Sequence, residues 1–370
     1  MEPIRVLQLF TILNRGGAET NIMNYYRKMD RTKFQFDFLV HRVEIGAYEE
    51  EIIQLGGKIF RLPALHPLHL SAYKKAVSSF FDKHYYKIIH GQCSELGLFI
   101  YKEAKKRNVP VIIAHAHNST DGWNLKSPFR WFWKKRMMHY INAYFTCSYD
   151  ASIWLFGKKN AHKAFAMHNA IETAQFAYNK QLNLDYRKKL NAENSTNIIH
   201  VGRFNEQKNH DFLIDVFAEY IALNPNAKLF LVGEGALKKS IIDKVNHLKL
   251  NDNVVFMGLR NDVNLIMQGM DFFLFPSLFE GLGIAFIEAQ ASGLQCVISD
   301  KIPSEAILIP DNVTIIPLKK PAKDWAKQMH LLANFQRKNV SQIIIEKGYD
   351  INTNLQKLED KYLDLLQKLS

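Results

Sequence analysis

The chain has 370 residues, 47% of them hydrophobic, enough to bury one very large core or two of ordinary domain size. Its formal charge of +12, from 48 Lys and Arg against 36 Asp and Glu, calls for an anionic partner: nucleic acid, a phosphate ligand or a membrane surface. The three cysteines (Cys93, Cys147, Cys296) are odd in number and scattered, which excludes a disulfide framework and offers no metal-ligand spacing. No apolar leader follows Met1 and no run of about 18 apolar residues occurs, so the expectation is a cytoplasmic chain without a membrane-spanning helix.

The apolar run at residues 4–10 reads as a buried strand leading straight into Asn14-Arg15-Gly16-Gly17-Ala18-Glu19 and a helical pattern that reaches Met29. Further strand candidates lie at 36–40, 58–61, 88–90, 111–115 and 143–147, with helix-compatible sequence between them. A second series follows at 198–202, 228–232, 254–258, 272–275, 296–299 and 313–316. This alternation predicts two doubly wound parallel α/β sheets, joined by a linker over residues 169–183 where periodicity fades. The last helix, residues 352–369, carries Leu355, Leu358, Tyr362, Leu365, Leu366 and Leu369 on one stripe and must pack on something.

Ligands of open α/β sheets bind beyond the carboxyl ends of the strands, and four segments fall there. Gly16 and Gly17 let backbone approach a ligand closely and open a helix whose first N–H groups suit an anion; a plain tight turn explains them equally well. Gly202, Arg203 and Lys208 flank a turn where two cations can converge on a diphosphate, or merely sit in solvent. Residues 275–289 read as strand, Gly-rich turn and a helix beginning near Leu282 or Gly283. Glu280 lies in that turn, placed to accept from ligand hydroxyls. Glu288 lies inside a nearly all-apolar helix, where a carboxylate needs a partner. Finally, His115 and His117 in Ala114-His115-Ala116-His117-Asn118-Ser119 end a strand and point the same way if it persists. A metal site there is disfavoured, because no Cys, Asp or Glu cluster accompanies them.

Together these segments resemble the retaining GT-B glycosyltransferases of family four. The resemblance rests on Gly16-Gly17, on His117 or His115, on Gly202-Arg203 with Lys208, on Gly233-Glu234-Gly235, and on Glu280 with Glu288, all in the family's order. Within that family the chain is most similar to bacterial capsular or exopolysaccharide enzymes. The resemblance implies two Rossmann-like domains facing across a cleft. Residues 1–172 with a returning helix at 352–370 would hold the acceptor, and residues 173–351 the nucleotide-sugar donor. It further implies that Arg203 and Lys208, with backbone N–H groups around Gly281, Leu282, Gly283 and Ile284, neutralise the donor diphosphate. Glu288 would hold the ribose and Glu280 the sugar. Leu259 and Arg260 would meet the base, Gly233 and Glu234 would belong to the nucleotide site, and Gly16 and Gly17 would close over the β-phosphate. His117 would hydrogen-bond the donor sugar, His115 standing as the alternative one strand step away.

The reaction so implied is front-face transfer of a hexose or N-acetylhexosamine, with the leaving phosphate accepting the acceptor's proton. The donor would be a UDP-sugar and the acceptor lipid-linked or oligosaccharidic, with no metal and no cofactor. Residues 127–144 add Phe129, Trp133, Met137, Tyr140 or Ile141 and Tyr144 at helical spacing, interleaved with Arg130, Lys134, Lys135 and Arg136. That pattern fits an anionic membrane surface, and equally a core-facing stripe with a solvated basic back. Residues 73–87 form a weaker second instance. Dispersed basic residues and the absence of a recognition motif argue against nucleic acid. The competing readings are a UDP-sugar hydrolase or epimerase of the same fold, and a nicotinamide-dependent oxidoreductase, against which the missing G-x-G-x-x-G counts.

Overall fold

A computed structural model describes residues 2–117 and 127–369, without the side chains of residues 67 and 127–129. Asn118, Ser119 and the Phe129 side chain lie outside the described residues. The chain divides into two compact units, Met1–Ala170 with Ile351–Ser370, and Ile171–Asp350.

In the first unit, β1 (Ile4–Phe10), β2 (Phe34–Val40), β3 (Ile59–Arg61), β4 (Ile88–Gly91), β5 (Val111–Ala116), β6 (Ala143–Thr146) and β7 (Phe165–Ala166) lie in the order β3-β2-β1-β4-β5-β6-β7. In the second, β8 (Asn197–Val201), β9 (Lys228–Val232), β10 (Val254–Gly258), β11 (Phe272–Phe275), β12 (Gln295–Ser299) and β13 (Val313–Ile316) lie in the order β10-β9-β8-β11-β12-β13. Every described pairing in both sheets is parallel. The direction of winding reverses between β1 and β4 in one sheet and between β8 and β11 in the other. Such a switch point leaves a crevice at the carboxyl ends of the two central strands, because the loops that follow them depart to opposite sides.

Central strands are apolar at nearly every position because both faces are covered. Val6, Phe36, Phe38, Ile88, Val111, Ile113 and Phe145 form one core, completed by Leu358, Tyr362 and Leu365 of the C-terminal helix Ile351–Leu369. The apolar stripe expected of that helix therefore buries into the first unit. The Tyr362 ring stacks on Phe145 with centroids 6.3 Å apart and tilts against Phe34 at 5.6 Å. Leu369, at the end of the stripe, remains exposed. The second core gathers Ile198, Leu213, Phe217, Leu229, Leu231, Phe272, Leu274 and Trp325.

Two local differences from expectation have simple causes. The two-residue β7 is too short to carry a period. The expected linker holds the helix Thr173–Phe176 and the start of Lys180–Lys189, which buries none of its residues and so shows no apolar stripe. Its start is set by Asn179, whose Oδ1 accepts from the Gln181 and Leu182 amides at 2.9 and 3.0 Å. Among the described residues no helix is long and apolar enough to cross a membrane.

Candidate functional site

The turns that leave β8 and β11 lie side by side at the switch point of the second unit and are tied by backbone and side chain. The Leu278 amide donates to the Gln207 carbonyl at 2.8 Å, and Asn209 Nδ2 donates to the Pro276 carbonyl at 3.1 Å. Asn209 takes a left-handed conformation (φ 52°), which asparagine tolerates better than most residues, and so turns the chain into the helix His210–Leu223. Asn205 Oδ1 accepts from the Lys208 amide at 3.2 Å. These contacts hold Lys208 and Glu280 in one ion pair, Nζ to Oε1 at 2.6 Å, with side chains only 15% and 5% exposed. Gln207 Nε2 donates to Glu280 Oε2 at 3.3 Å and to the Phe279 carbonyl at 3.0 Å. The Lys208 ammonium also lies 4.6 Å from the Phe275 ring centroid.

The stem of Lys208 runs beneath Gly202, where a Cβ would meet its Cγ and Cδ at 3.1 Å. Gly233 is packed still more tightly: with φ 145°, a Cβ there would lie 2.0 Å from the Gly202 carbonyl oxygen, so only glycine lets the two turns touch. Arg203 is exposed and has no hydrogen-bond or ion-pair partner among the described residues. The geometry thus offers one fixed cation, one exposed cation and a carboxylate within a single set of turns.

The following helix is Ile284–Ala291, beginning slightly later than the sequence suggests because Gly283 is its left-handed cap residue (φ 65°). Its first amides face the same turn, with Gly281 half-buried and Leu282 and Ile284 buried. Glu288 is half-buried between Ile287 and Ala289, and no partner to its carboxylate is found among the described residues. Burial raises its carboxyl to about 7. A carboxyl in that state gains from any hydroxyl donor brought to it. The outer residues behave otherwise: Glu234 pairs with Lys238 at 2.6 Å, Arg260 pairs with Asp262 at 2.8 Å, and Leu259 is exposed.

In the first unit, Gly16 caps the helix Gly17–Lys28 that follows β1, and Gly17 faces open space. β5 ends at Ala116, one residue short of His117, yet the His115 and His117 rings lie together, stacked at 4.0 Å. The structure separates their roles. His115 is fully buried, with Nδ1 3.1 Å from His90 Nε2, whereas His117 is half-buried and its Nε2 lies 2.6 Å from Gln92 Oε1. Burial holds His117 at about 4 and the other two well below the ordinary histidine range, so all three are neutral.

On the helix Ser127–Met137 part of the stripe takes the core-facing alternative: Met137 is buried and Trp133 meets Phe99 edge-on at 5.7 Å. Ile141 is buried and Tyr144 already belongs to β6. Trp131 and Phe132 face outward instead, 65% and 50% exposed, with Lys135 and Arg136 over their rings. In the second instance, on the helix Leu70–Lys83, Tyr73, Val77, Phe80 and Phe81 are buried.

Gln92, Gln207, His90 and the Lys208–Glu280 pairing escaped sequence reasoning. The usable signal was Gln8, a polar residue inside an otherwise apolar strand, which implies a buried polar partner. Among the described residues no group of three or more His, Cys, Asp or Glu could hold a metal ion.

Comparison with known proteins agrees with this architecture. Residues 15–175 match the model for Glycosyltransferase Family 4, and residues 183–350 match that for Glycosyl transferases group 1. The protein EpsF of Bacillus subtilis (strain 168), which carries a glycosyltransferase name, is 33% identical over 97% of this chain and 96% of its own length. CapH of Staphylococcus aureus, named a capsular polysaccharide biosynthesis glycosyltransferase, is 26% identical over 97% of this chain and 99% of its own. Among solved structures, Anabaena Alr3699/HepE in complex with UDP superposes with a TM-score of 0.80 at 16% identity, covering 97% of this chain and 100% of that one. The two sheets, their switch-point turns and these matches across both units place the chain in glycosyltransferase family four, as a glycosyltransferase of the GT-B fold.

Proposed function

We propose that this glycosyltransferase moves a hexose or N-acetylhexosamine from a UDP-sugar, with retention and without a metal, to a lipid-linked or growing polysaccharide acceptor in bacterial capsule or exopolysaccharide synthesis. The observation that carries the reading is the Lys208–Glu280 pair, set beside the unpartnered Arg203 and a helix start. An ammonium has three donors, so Lys208 can keep Glu280 and still reach a phosphate oxygen. Arg203 adds a planar fork, and the two cations neutralise the diphosphate that leaves. Glu280, with one oxygen on Lys208, anchors sugar hydroxyls and is a poor nucleophile. Glu288 takes the ribose, His117 the donor sugar, the segments at Gly233–Glu234 and Leu259–Arg260 the nucleotide, and Gly16–Gly17 the β-phosphate. The bond from the anomeric carbon to the phosphate oxygen breaks as the acceptor oxygen attacks the same face. The acceptor's proton passes to the departing phosphate.

The relatives support the choice of substrates. An Escherichia coli relative, 26% identical over 77% of this chain, is named for transfer from UDP-Gal to a diphosphoundecaprenol-linked sugar, and HepE has been solved with UDP and with UDP-glucose. Trp131 and Phe132 with their basic neighbours supply a surface for anionic lipid, where such an acceptor resides. A panel of UDP-, GDP-, ADP- and dTDP-sugars scored by thermal shift tests the donor, since a true ligand stabilises the folded state by mass action. UDP-sugars alone should raise Tm, UDP should be released only when acceptor is added, and EDTA should leave turnover unchanged. A shift with another nucleotide, or release without acceptor, removes this reading in favour of another donor or a hydrolase.

A further inference from the structure

Six side chains lie together at the switch point of the first unit, and of these the proposed function uses only His117. Gln8 stands on β1, His90 and Gln92 at the end of β4, His115 and His117 at the end of β5, and Tyr362 on the C-terminal helix. All but His117 are buried. His117 Nε2 lies 2.6 Å from Gln92 Oε1, and Gln92 Nε2 donates to Gln8 Oε1 at 2.9 Å. Gln8 Nε2 is buried without a partner among the described residues, so this run ends there. In a second run the Tyr362 hydroxyl lies 2.7 Å from His90 Nδ1, and His90 Nε2 lies 3.1 Å from His115 Nδ1. The His115 ring stacks on His117 and brings the two runs together.

The contacts from His117 through Gln92 to Gln8 have one direction of donation. The Gln92 amide nitrogen is committed to Gln8, so its oxygen faces His117, and a carbonyl oxygen only accepts. His117 therefore carries its proton on Nε2, and its Nδ1 is a lone pair with no partner among the described residues. Beside this run, Tyr362, His90 and His115 are hydrogen-bonded in turn, and His115 Nε2 is buried without a partner. A series that runs one way polarises each of its members in the same sense, which favours that arrangement over a mixture.

We propose that Gln92, oriented by Gln8, is a positioning residue that fixes His117 as the neutral Nε2–H tautomer, so that His117 meets the donor sugar as an acceptor, through Nδ1, for a sugar hydroxyl. This rests on the reading that His117 touches the donor sugar. A structural glutamine would only fill space. A positioning one decides which nitrogen is protonated.

The test uses the full chain labelled with 15N-histidine, the His117 signals being identified by their loss in His117→Ala. Long-range 1H–15N correlation should show the Nε2–H tautomer of His117 from pH 6 to 8. Gln92→Met should shift it toward Nδ1–H and lower kcat/KM for the UDP-sugar selected by the thermal-shift panel about tenfold, the cost of one hydrogen bond. Gln92→Glu keeps an acceptor in place but favours the imidazolium, so the His117 signal should titrate at higher pH. The acid limb of kcat/KM should move up with it, which a space-filling role would not cause. A wild-type Nδ1–H tautomer, meaning a series that runs the opposite way, overturns the proposal. So does an unchanged tautomer in Gln92→Met; if that variant fails to fold, an acid limb unmoved in Gln92→Glu overturns it as well. Wild-type donor kinetics in His117→Ala would instead overturn the underlying sugar contact, a failure that the tautomer measurement does not share.

Discussion

The switch points of the two units are built alike in backbone and opposite in electrostatics. In the second unit, β8 and β11 end in turns that carry a lysine, an exposed arginine and an ion-paired glutamate, and the helix that follows holds Glu288, whose carboxyl burial raises to about 7. In the first unit, the ends of β1, β4 and β5 bring together glutamines and neutral histidines, with Tyr362 of the C-terminal helix against them and no ion pair among the six. Charge suits the place where a diphosphate must be held and its departure stabilised. A neutral, directional set suits a place where hydroxyl groups are sorted by donor and acceptor. On the proposed function the same strand order would host two kinds of recognition, the difference lying in a few side chains at and beside the strand ends.

Breaking the charged side should have the largest effect. Lys208→Ala is expected to lower kcat by about a hundredfold to a thousandfold, the range for removing one transition-state donor. It also leaves Glu280 without its cation, which costs up to about 3–5 kcal/mol of stability for a buried pair. Circular dichroism should nevertheless retain the folded signature, and adding Glu280→Gln should recover Tm without recovering turnover. Wild-type-like turnover in Lys208→Ala would sink the phosphate role.

Next in size is the response of the neutral side to acid. Burial lowers His41 to about 4 and His117 to about 4, and pushes His90 and His115 well down. A depressed histidine contributes stability above its unfolded pKa of about 6.5, and that stability is lost as pH falls toward the folded value. By pH 5 the loss is about 2 kcal/mol for His41 alone. The second unit has His200 and His210 to set against these four. Hydrogen exchange at pH 7 and pH 5 should show the first unit losing protection sooner, and equal loss in the two would contradict the contrast.

Glu288 gives a gentler effect of the opposite sign. Its raised carboxyl stabilises the fold most below about 4.5 and loses that benefit as pH climbs toward 7. A ribose hydroxyl bound to the ionised form would pull the value down again, so UDP should bind more tightly as pH rises, by up to tenfold per unit below 7. Calorimetry from pH 5.5 to 8 should show this slope, and Glu288→Gln should flatten it. The smallest change concerns the surface helix: Trp131→Ser with Phe132→Ser should weaken sedimentation with anionic vesicles several-fold at physiological salt, consistent with contributions of about 1 kcal/mol per interfacial group. No binding by the wild type would remove the membrane surface from the account.

Much of this was legible in the residue pattern. Strands such as residues 228–232 and 272–275 announce themselves because both faces are buried and the run is continuously apolar. Glycines at 202, 233 and 283 mark turns that other residues would strain or fill. What stayed hidden depends on neighbours far along the chain. That Lys208 meets Glu280, or that His117 meets Gln92, follows from strand order, which spacing does not reveal. The helix Ser127–Met137 left two readings open because aromatic residues occupy two of its faces, and only packing against Phe99 shows which is inside.

The C-terminal helix has a consequence for how the protein is made. Tyr362 and Leu358 fill a core whose other walls are drawn from residues 6–170, yet they are synthesised only after all of residues 171–350. The second unit can therefore close as soon as its own strands have left the ribosome, while the first must wait with an open apolar seat and an unfinished histidine series. During that interval the sheet that begins the chain is the one most in need of a chaperone, and a ribosome that stalls before residue 351 leaves that seat empty.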